Sequence, residues 1–186
     1  VQKACGLAQS DKLKVVYLDI FSCRSDRDFY DAFAAAVLKQ TSSKLDEWLE
    51  NARLFLSRIS PKISMSTDPM TDFSISLEMN PKSNDIDEIL QLPEKIAQKK
   101  GYNIVICIDE FQQIAEFKDS KIFQKRLRTV WQLQKSVSYC LFGSKKHLMN
   151  ELFEKKSLPF YKFGDAIYLP KIGTSDWVDY ICSRFE

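Results

Sequence analysis

One stretch constrains this chain more than any other: residues 103–111, NIVICIDEF. Ile104, Val105, Ile106, Cys107 and Ile108 run without interruption into two carboxylates, Asp109 and Glu110. A short apolar run rich in β-branched residues is the mark of a strand buried on both faces, as inside a parallel sheet. Parallel sheets carry ligands at the carboxyl ends of their strands, which is where these acids stand. Neighbouring residues on a strand point to opposite sides, so the pair cannot act as one bidentate claw. They can divide two jobs, one holding a hydrated Mg²⁺ near phosphates, the other orienting or deprotonating a water. The plainer alternative is that Asp109 caps a following helix and Glu110 lies in its first turn, where negative charge suits the helix dipole.

The rest of the composition narrows the class. The 186 residues are 45% hydrophobic, with 13 Phe, 7 Tyr and 3 Trp, enough for a substantial core and incompatible with disorder. A net charge of +2 does not by itself imply nucleic acid or an anionic membrane as partner. The five cysteines (Cys5, Cys23, Cys107, Cys140, Cys182) never form a CxxC pair. They are expected to be reduced thiols of a cytoplasmic protein, with Cys107 and Cys140 acting as small hydrophobes inside strands. No apolar run is long enough to span a membrane, and no signal peptide is recognisable.

Along the chain, residues 1–9 are helix-compatible, and 13–21 (LKVVYLDIF) form a first buried strand ending at Asp19. Ser25 and Asp26 offer an N-cap to a helix with Phe29, Phe33 and Val37 inward, running to about Gln40. A second helix, capped near Ser42 or Ser43, carries Leu45, Trp48, Leu49, Ala52, Leu56 and Ile59, and Pro61 closes it. Between 62 and 80 apolar and polar residues alternate around Asp68-Pro69, which predicts a half-exposed β-hairpin outside the main sheet. Asp85 can cap a helix that Pro93 kinks or restarts and Gly101 stops. After the 103–111 strand, Asp119 or Ser120 caps a helix with Phe123, Leu127, Val130 and Trp131 inward and Lys121, Lys125, Arg126 and Arg128 outward. Residues 137–142 (VSYCLF) are a further buried strand leading into Gly143 and Ser144, and a helix with Leu148, Leu152 and Phe153 follows. A loop over 157–164 leads to a short strand at 166–169 ended by Pro170, and Asp176 caps a terminal amphipathic helix. Strand and helix alternate throughout, which predicts an α/β domain with a parallel sheet. Trp48, Trp131 and Trp177 lie on apolar stripes and are assigned to the core; His147 stands alone and is assigned to the surface.

The strand ending in Asp109-Glu110-Phe111-Gln112 resembles the Walker B segment of AAA+-type P-loop ATPases, and the strand ending Phe142-Gly143-Ser144 resembles their sensor-1 strand. Residues 144–172 (SKKHLMNELFEKKSLPFYKFGDAIYLPKI) are similar to the archaeal-type P-loop ATPases of the AAA+/STAND group. The resemblance implies a P-loop NTPase-like parallel sheet flanked by helices, with ATP and Mg²⁺ as ligands. It implies that Asp109 holds Mg²⁺ through water, that Glu110 polarises the water attacking the γ-phosphate, and that Ser144 contacts that phosphate or water. Phosphoryl transfer needs such positioning and charge neutralisation more than covalent chemistry. Lys162 takes the place where the group often carries an Arg, although a lysine's point charge does not reproduce a guanidinium fork.

The chain departs from the pattern in one large respect: it contains no G-x-x-x-x-G-K-[ST] loop. The resemblance therefore implies an ATPase core over 1–174 that begins just after the phosphate-binding loop, with a lid or linker helix starting over 175–186. It also implies an empty strand position beside 137–142 and 166–169, whose exposed backbone groups need partners, and weak ATP binding by these residues alone. Three function classes follow: the ATP-hydrolysing domain of a molecular switch joined to a C-terminal domain or protein partner, a catalytically inactive interaction domain, or a nucleic-acid-binding module using the basic helix face. The 62–80 hairpin, least explained by the core, is the expected partner contact.

Overall fold

The computed structural model describes residues 6–42, 60–64, 74–78 and 83–185. The expected helix up to residue 59, apart from its candidate cap Ser42, together with Trp48, Cys5 and the Asp68-Pro69 turn, lies outside the described residues. Three parallel strands, β1 (Leu13–Asp19), β4 (Asn103–Asp109) and β5 (Val137–Leu141), form a sheet in the order β1-β4-β5. A separate antiparallel pair, β2 (Ser60–Ser64) and β3 (Ser74–Glu78), is the predicted hairpin, and Pro61 lies within β2 opposite Leu77. The helices are α1 (Asp26–Thr41), α2 (Ser83–Lys100), α3 (Ser120–Trp131), α4 (Lys146–Glu154) and α5 (Thr174–Phe185), with a 3₁₀ turn at Phe111–Glu116. The chain is thus an α/β domain with a small parallel sheet flanked by helices.

Local chemistry explains the boundaries. Ser25 caps α1 in a full capping box: its hydroxyl accepts from Asp28 N at 3.2 Å, and Asp28 Oδ2 accepts from Ser25 N at 3.0 Å. Helix α2 runs as one element through the buried Pro93, neither broken nor restarted, and ends where Gly101 adopts φ 73°. Glu94, just after that proline, accepts from Ser136 N at 2.9 Å and Lys135 N at 3.2 Å, which ties α2 to the approach of β5.

One face of the sheet holds the core. Register places Val16, Ile106 and Tyr139 side by side, and on this face Leu18, Ile104 and Ile108 join Phe29, Phe33, Leu90, Ile96 and Leu127 from α1, α2 and α3. The opposite face is less covered than a strand buried on both sides would be. There Val15 and Cys107 are buried, Val105 and Tyr17 are half-buried, and Cys140 is exposed. The sequence expectation fails at Cys140, where β5 lies at the edge of the sheet among the described strands. At the other edge the Gln9 carboxamide pairs with β1, donating to Val15 O at 2.8 Å and accepting from Val15 N at 3.0 Å.

Two further expectations are corrected. Residues 166–169 form no strand: Ile167 and Leu169 face solvent, while Tyr168 is drawn onto α4 by hydrogen bonds from its hydroxyl to Glu154 (2.7 Å) and Asn150 (3.3 Å). A short apolar run makes a strand only where a neighbour supplies hydrogen bonds, and none of the described strands lies beside it. Trp177 is not core: it is 48% exposed, and no residue of α5 is buried. Trp131, by contrast, is buried as expected and stacks on Tyr139 with centroids 4.0 Å apart.

Candidate functional site

The site is built where β4 ends. The β4–β5 ladder continues past the strands through Phe142 N to Ile108 O (3.1 Å) and Phe111 N to Phe142 O (3.0 Å). This brings the residues after β4 against those after β5 and sets Glu110 beside Ser144. Between them the chain turns sharply, with Glu110 at φ 55° and ψ 37°, a left-handed conformation unusual for a residue with a side chain. Such local strain persists only where the surroundings enforce it, and here the ladder on either side does.

The two carboxylates diverge, but not by strand alternation: β4 ends at Asp109, and the left-handed turn at Glu110 sets the direction of its side chain. Asp109 turns toward β1, where its Oδ2 accepts from the Tyr17 hydroxyl at 2.7 Å and its Oδ1 from Glu110 N at 2.8 Å. Glu110 turns toward β5, where its Oε2 accepts from both the Gln112 amide and Ser144 Oγ, the latter at 3.2 Å. Neither acid caps a helix with its side chain: Glu110 occupies the position before the 3₁₀ turn without a capping bond. The plainer reading, with Asp109 as cap and Glu110 in the first turn, is therefore corrected: Glu110 holds the position before the turn, and Asp109 accepts from Glu110 N.

Gln112 is 2% exposed and half of its carboxamide is committed to Glu110; its Oε1 is buried without a partner. Gly143 lies against that oxygen, and a Cβ at 143 would fall 1.8 Å from it. Tyr17 and Gln112 are the site residues that sequence reasoning does not assign. Gln112 stands in the quoted motif, but nothing in its sequence neighbours indicates that it bonds Glu110 and packs against a glycine that follows β5.

The aromatic loop over 157–164 supports the site from below. Phe160 is fully buried between Phe111 (5.4 Å, edge-on), Phe153 (5.7 Å), Trp131 (6.0 Å) and Phe163 (5.1 Å, edge-on). Arg128 holds the loop backbone, donating to Pro159 O and to Tyr161 O at 3.0 Å, with its guanidinium over the Phe163 ring. Lys162 is on this loop at φ 52°, its ammonium 5.6 Å from the Tyr161 ring centroid, and no hydrogen bond or ion pair joins it to Asp109, Glu110 or Ser144. Of the cations assigned to an outward basic face, Arg128 is committed to this loop and Arg126 pairs with Asp87 at 3.7 Å. His147 is exposed, as expected.

Among the described residues there is no group of three or more His, Cys, Asp or Glu able to enclose a metal ion. The donor set at Asp109 instead suits an ion that keeps its waters: each oxygen already accepts one bond and retains lone pairs for a water. Chemically, Glu110 presents a carboxylate with one oxygen held by two donors and the other left to orient a water, at the half-exposed end of a parallel sheet. Nearby, Cys23 is buried and its thiol is pushed up to about 11, mainly by burial and then by the charges of Asp28 and Asp19. No helix among the described residues is long and apolar enough to cross a membrane.

No family model matches the chain, and none of the curated proteins compared with it matches.

Proposed function

We propose that the chain is the core of a P-loop NTPase-like ATPase domain, part of an AAA+/STAND-type switch. The reading requires a phosphate-binding loop, and these 186 residues contain no G-x-x-x-x-G-K-[ST] sequence. One observation supports the reading best. The Glu110 carboxylate is fixed by Gln112 and Ser144 at the carboxyl end of a parallel sheet, on a strained backbone, beside an Asp109 that points elsewhere. Two carboxylates separated into different environments suit two jobs. In this reading Asp109, steadied by Tyr17, takes the water shell of Mg²⁺. When bound, that ion neutralises phosphate charge. Glu110 polarises the attacking water through its free oxygen, and Ser144 exchanges its bond to Glu110 for one to the γ-phosphate or that water. Lys162 has no contact with these groups and is the weakest of the assigned residues; it has a role only if the loop moves on binding. Helix α5 would begin the lid or linker to a C-terminal domain, and the β2–β3 hairpin would meet a protein partner.

A second reading, a catalytically inactive interaction domain, draws on the exposed apolar side chains of Ile167, Leu169, Trp177 and Phe185. The nucleic-acid reading is weaker, because Arg126 and Arg128 are committed within the fold. ATP turnover by the full-length protein, beside its Glu110→Gln variant, separates the first two. The ATPase reading expects turnover in the parent and a loss of at least about 100-fold in the variant with ATP binding retained. Absence of ATP binding and turnover in the parent overturns it in favour of the interaction domain.

A further inference from the structure

We infer that Gln112 is a positioning residue for Glu110, and that Gly143 is a glycine because the Gln112 carboxamide occupies the space of its missing side chain. This rests on the ATPase reading for its functional half and on geometry alone for its structural half. An ionised carboxylate only accepts hydrogen bonds, so Gln112 must turn its NH₂ group to Glu110 and therefore its oxygen to Gly143. That oxygen is buried without a partner, a cost the fold tolerates only because the other half of the amide is tightly engaged. A Cβ at 143 would lie 1.8 Å from Oε1 and 2.9 Å from Cδ of Gln112, contacts that no side chain sustains. The third neighbour, Met149 Sδ at 3.3 Å, is flexible and can yield. The glycine is thus required by a neighbour and not by its own backbone. Ser144, the residue after it, shares the same Glu110 oxygen, so the end of β5 and Gln112 together fix that carboxylate. In the ATPase reading Ser144 gives this bond up to phosphate or water, and the Gln112 bond is then what keeps the carboxylate from rotating and Oε1 in one direction. A misplacement of about 1 Å at such a group costs on the order of 100-fold in rate.

The test uses the full-length protein and its Gln112→Ala, Gly143→Ala and doubly substituted forms, with Glu110→Gln as reference. In thermal unfolding Gly143→Ala lowers Tm by about 5 °C or more. The double variant loses clearly less than the sum of the two single losses, because removing Gln112 vacates the space the new methyl needs. Strictly additive losses would overturn the structural half. In ATP turnover Gln112→Ala and Gly143→Ala each lower kcat about 10- to 100-fold with KM little changed. The double variant is no slower than the slower single, since all three disturb one unit. A Gln112→Ala protein with unchanged kcat, alongside an inactive Glu110→Gln, overturns the positioning role and leaves the ATPase reading standing. A Glu110→Gln protein that turns over normally, or a parent that does not hydrolyse ATP, overturns both that reading and the positioning role.

Discussion

Phe160 is where the aromatic loop is fastened to the site, and Phe160→Ala measures how firmly. The ring is wholly buried and touches Phe111, the residue directly after Glu110, as well as Trp131, Phe153 and Phe163. A buried Phe removes at least about 150 Å² from water, which at about 25 cal/mol per Å² is close to 4 kcal/mol. Large-to-small series give about 3–5 kcal/mol for the same change once the cavity is included. Two edge-on pairings, with Phe111 and Phe163, are lost as well and place the cost in the upper half of that range. For a chain of this size each kcal/mol lowers Tm by about 2–4 °C, so a fall of about 8–20 °C is expected. The loop backbone keeps its clamp, because Arg128 binds Pro159 O and Tyr161 O whichever side chain stands at 160. The loss should therefore appear as a cooperative shift in urea or thermal unfolding and not as a separate early transition. Phe160→Leu keeps most of the buried area and should cost less than half as much. A loss below about 1 kcal/mol for Phe160→Ala would mean that the loop does not pack beneath the site, and the account of how Phe111 is fixed would fail.

Two other predictions concern the frame of the site. Ser25→Ala removes the capping box of α1 and should cost about 1 kcal/mol in urea unfolding; a change within 0.3 kcal/mol, on the order of surface-substitution scatter, would show that Asp28 caps the helix alone. Cys23 and Tyr30 both keep their protons longer in the fold than in the unfolded chain, Cys23 to about 11 and Tyr30 well above its usual range, in each case chiefly through burial. Their contribution is whole below the unfolded values of 9.0 and 10.0 and is lost as pH rises, because only the unfolded chain then releases the protons. Tm should fall from about pH 9 upward, and Cys23→Ala should flatten the part between about pH 9 and 11. An unchanged slope in that variant would remove Cys23 from the explanation. Thiol labelling of the native protein near pH 8 should modify Cys140 and Cys182 quickly and Cys23 and Cys107 slowly.

Much of the frame is legible in the sequence because its causes are local. Ser25 and Asp28 make a capping box without outside help, Gly101 ends α2 through its own backbone freedom, and the apolar run before Asp109 identifies β4. The divergence of Asp109 and Glu110 is expected from strand alternation but arises otherwise, because β4 ends at Asp109 and Glu110 turns into the left-handed region. The Gln112–Gly143 contact is not legible, since it joins a side chain after β4 to a backbone after β5, and only the register Ile108↔Leu141 brings them together. Tyr17 is hidden for the same reason: its hydroxyl reaches Asp109 only because β1 and β4 pair with Cys107 opposite Tyr17. Pro93 starts no new helix, because the apolar residues on either side of it, Ile89, Leu90, Leu92 and Ile96, are buried in one core and hold the element continuous.

The expectations that fail outright, at Cys140, 166–169 and Trp177, share one physical cause. Each is an apolar pattern, and such a pattern states that a face gains by burial without stating what covers it. Inside β4 the cover comes from α1, α2 and α3, and Ile104, Ile106 and Ile108 are buried accordingly. At β5 the outer edge has no strand beside it among the described residues, so Cys140 faces solvent although its neighbour in register, Cys107, is buried. At 166–169 a single polar anchor decides the outcome. Tyr168 gains two hydrogen bonds and a lysine over its ring from α4, which leaves Ile167 and Leu169 pointing outward. In α5 the apolar stripe is intact but touches little beyond its own Trp177–Tyr180 pair at 6.2 Å. The part of the molecule around Glu110 is thus over-determined by its contacts, while the part after Gly164 is determined mainly by what it can bond locally. Substitutions at Ile167, Leu169 or Trp177 should accordingly leave the stability of the described fold within about 0.5 kcal/mol, whereas a comparable apolar loss at Ile106 costs several. Urea unfolding of Leu169→Ala beside Ile106→Ala checks this, and equal losses would show that the outward segment is packed after all.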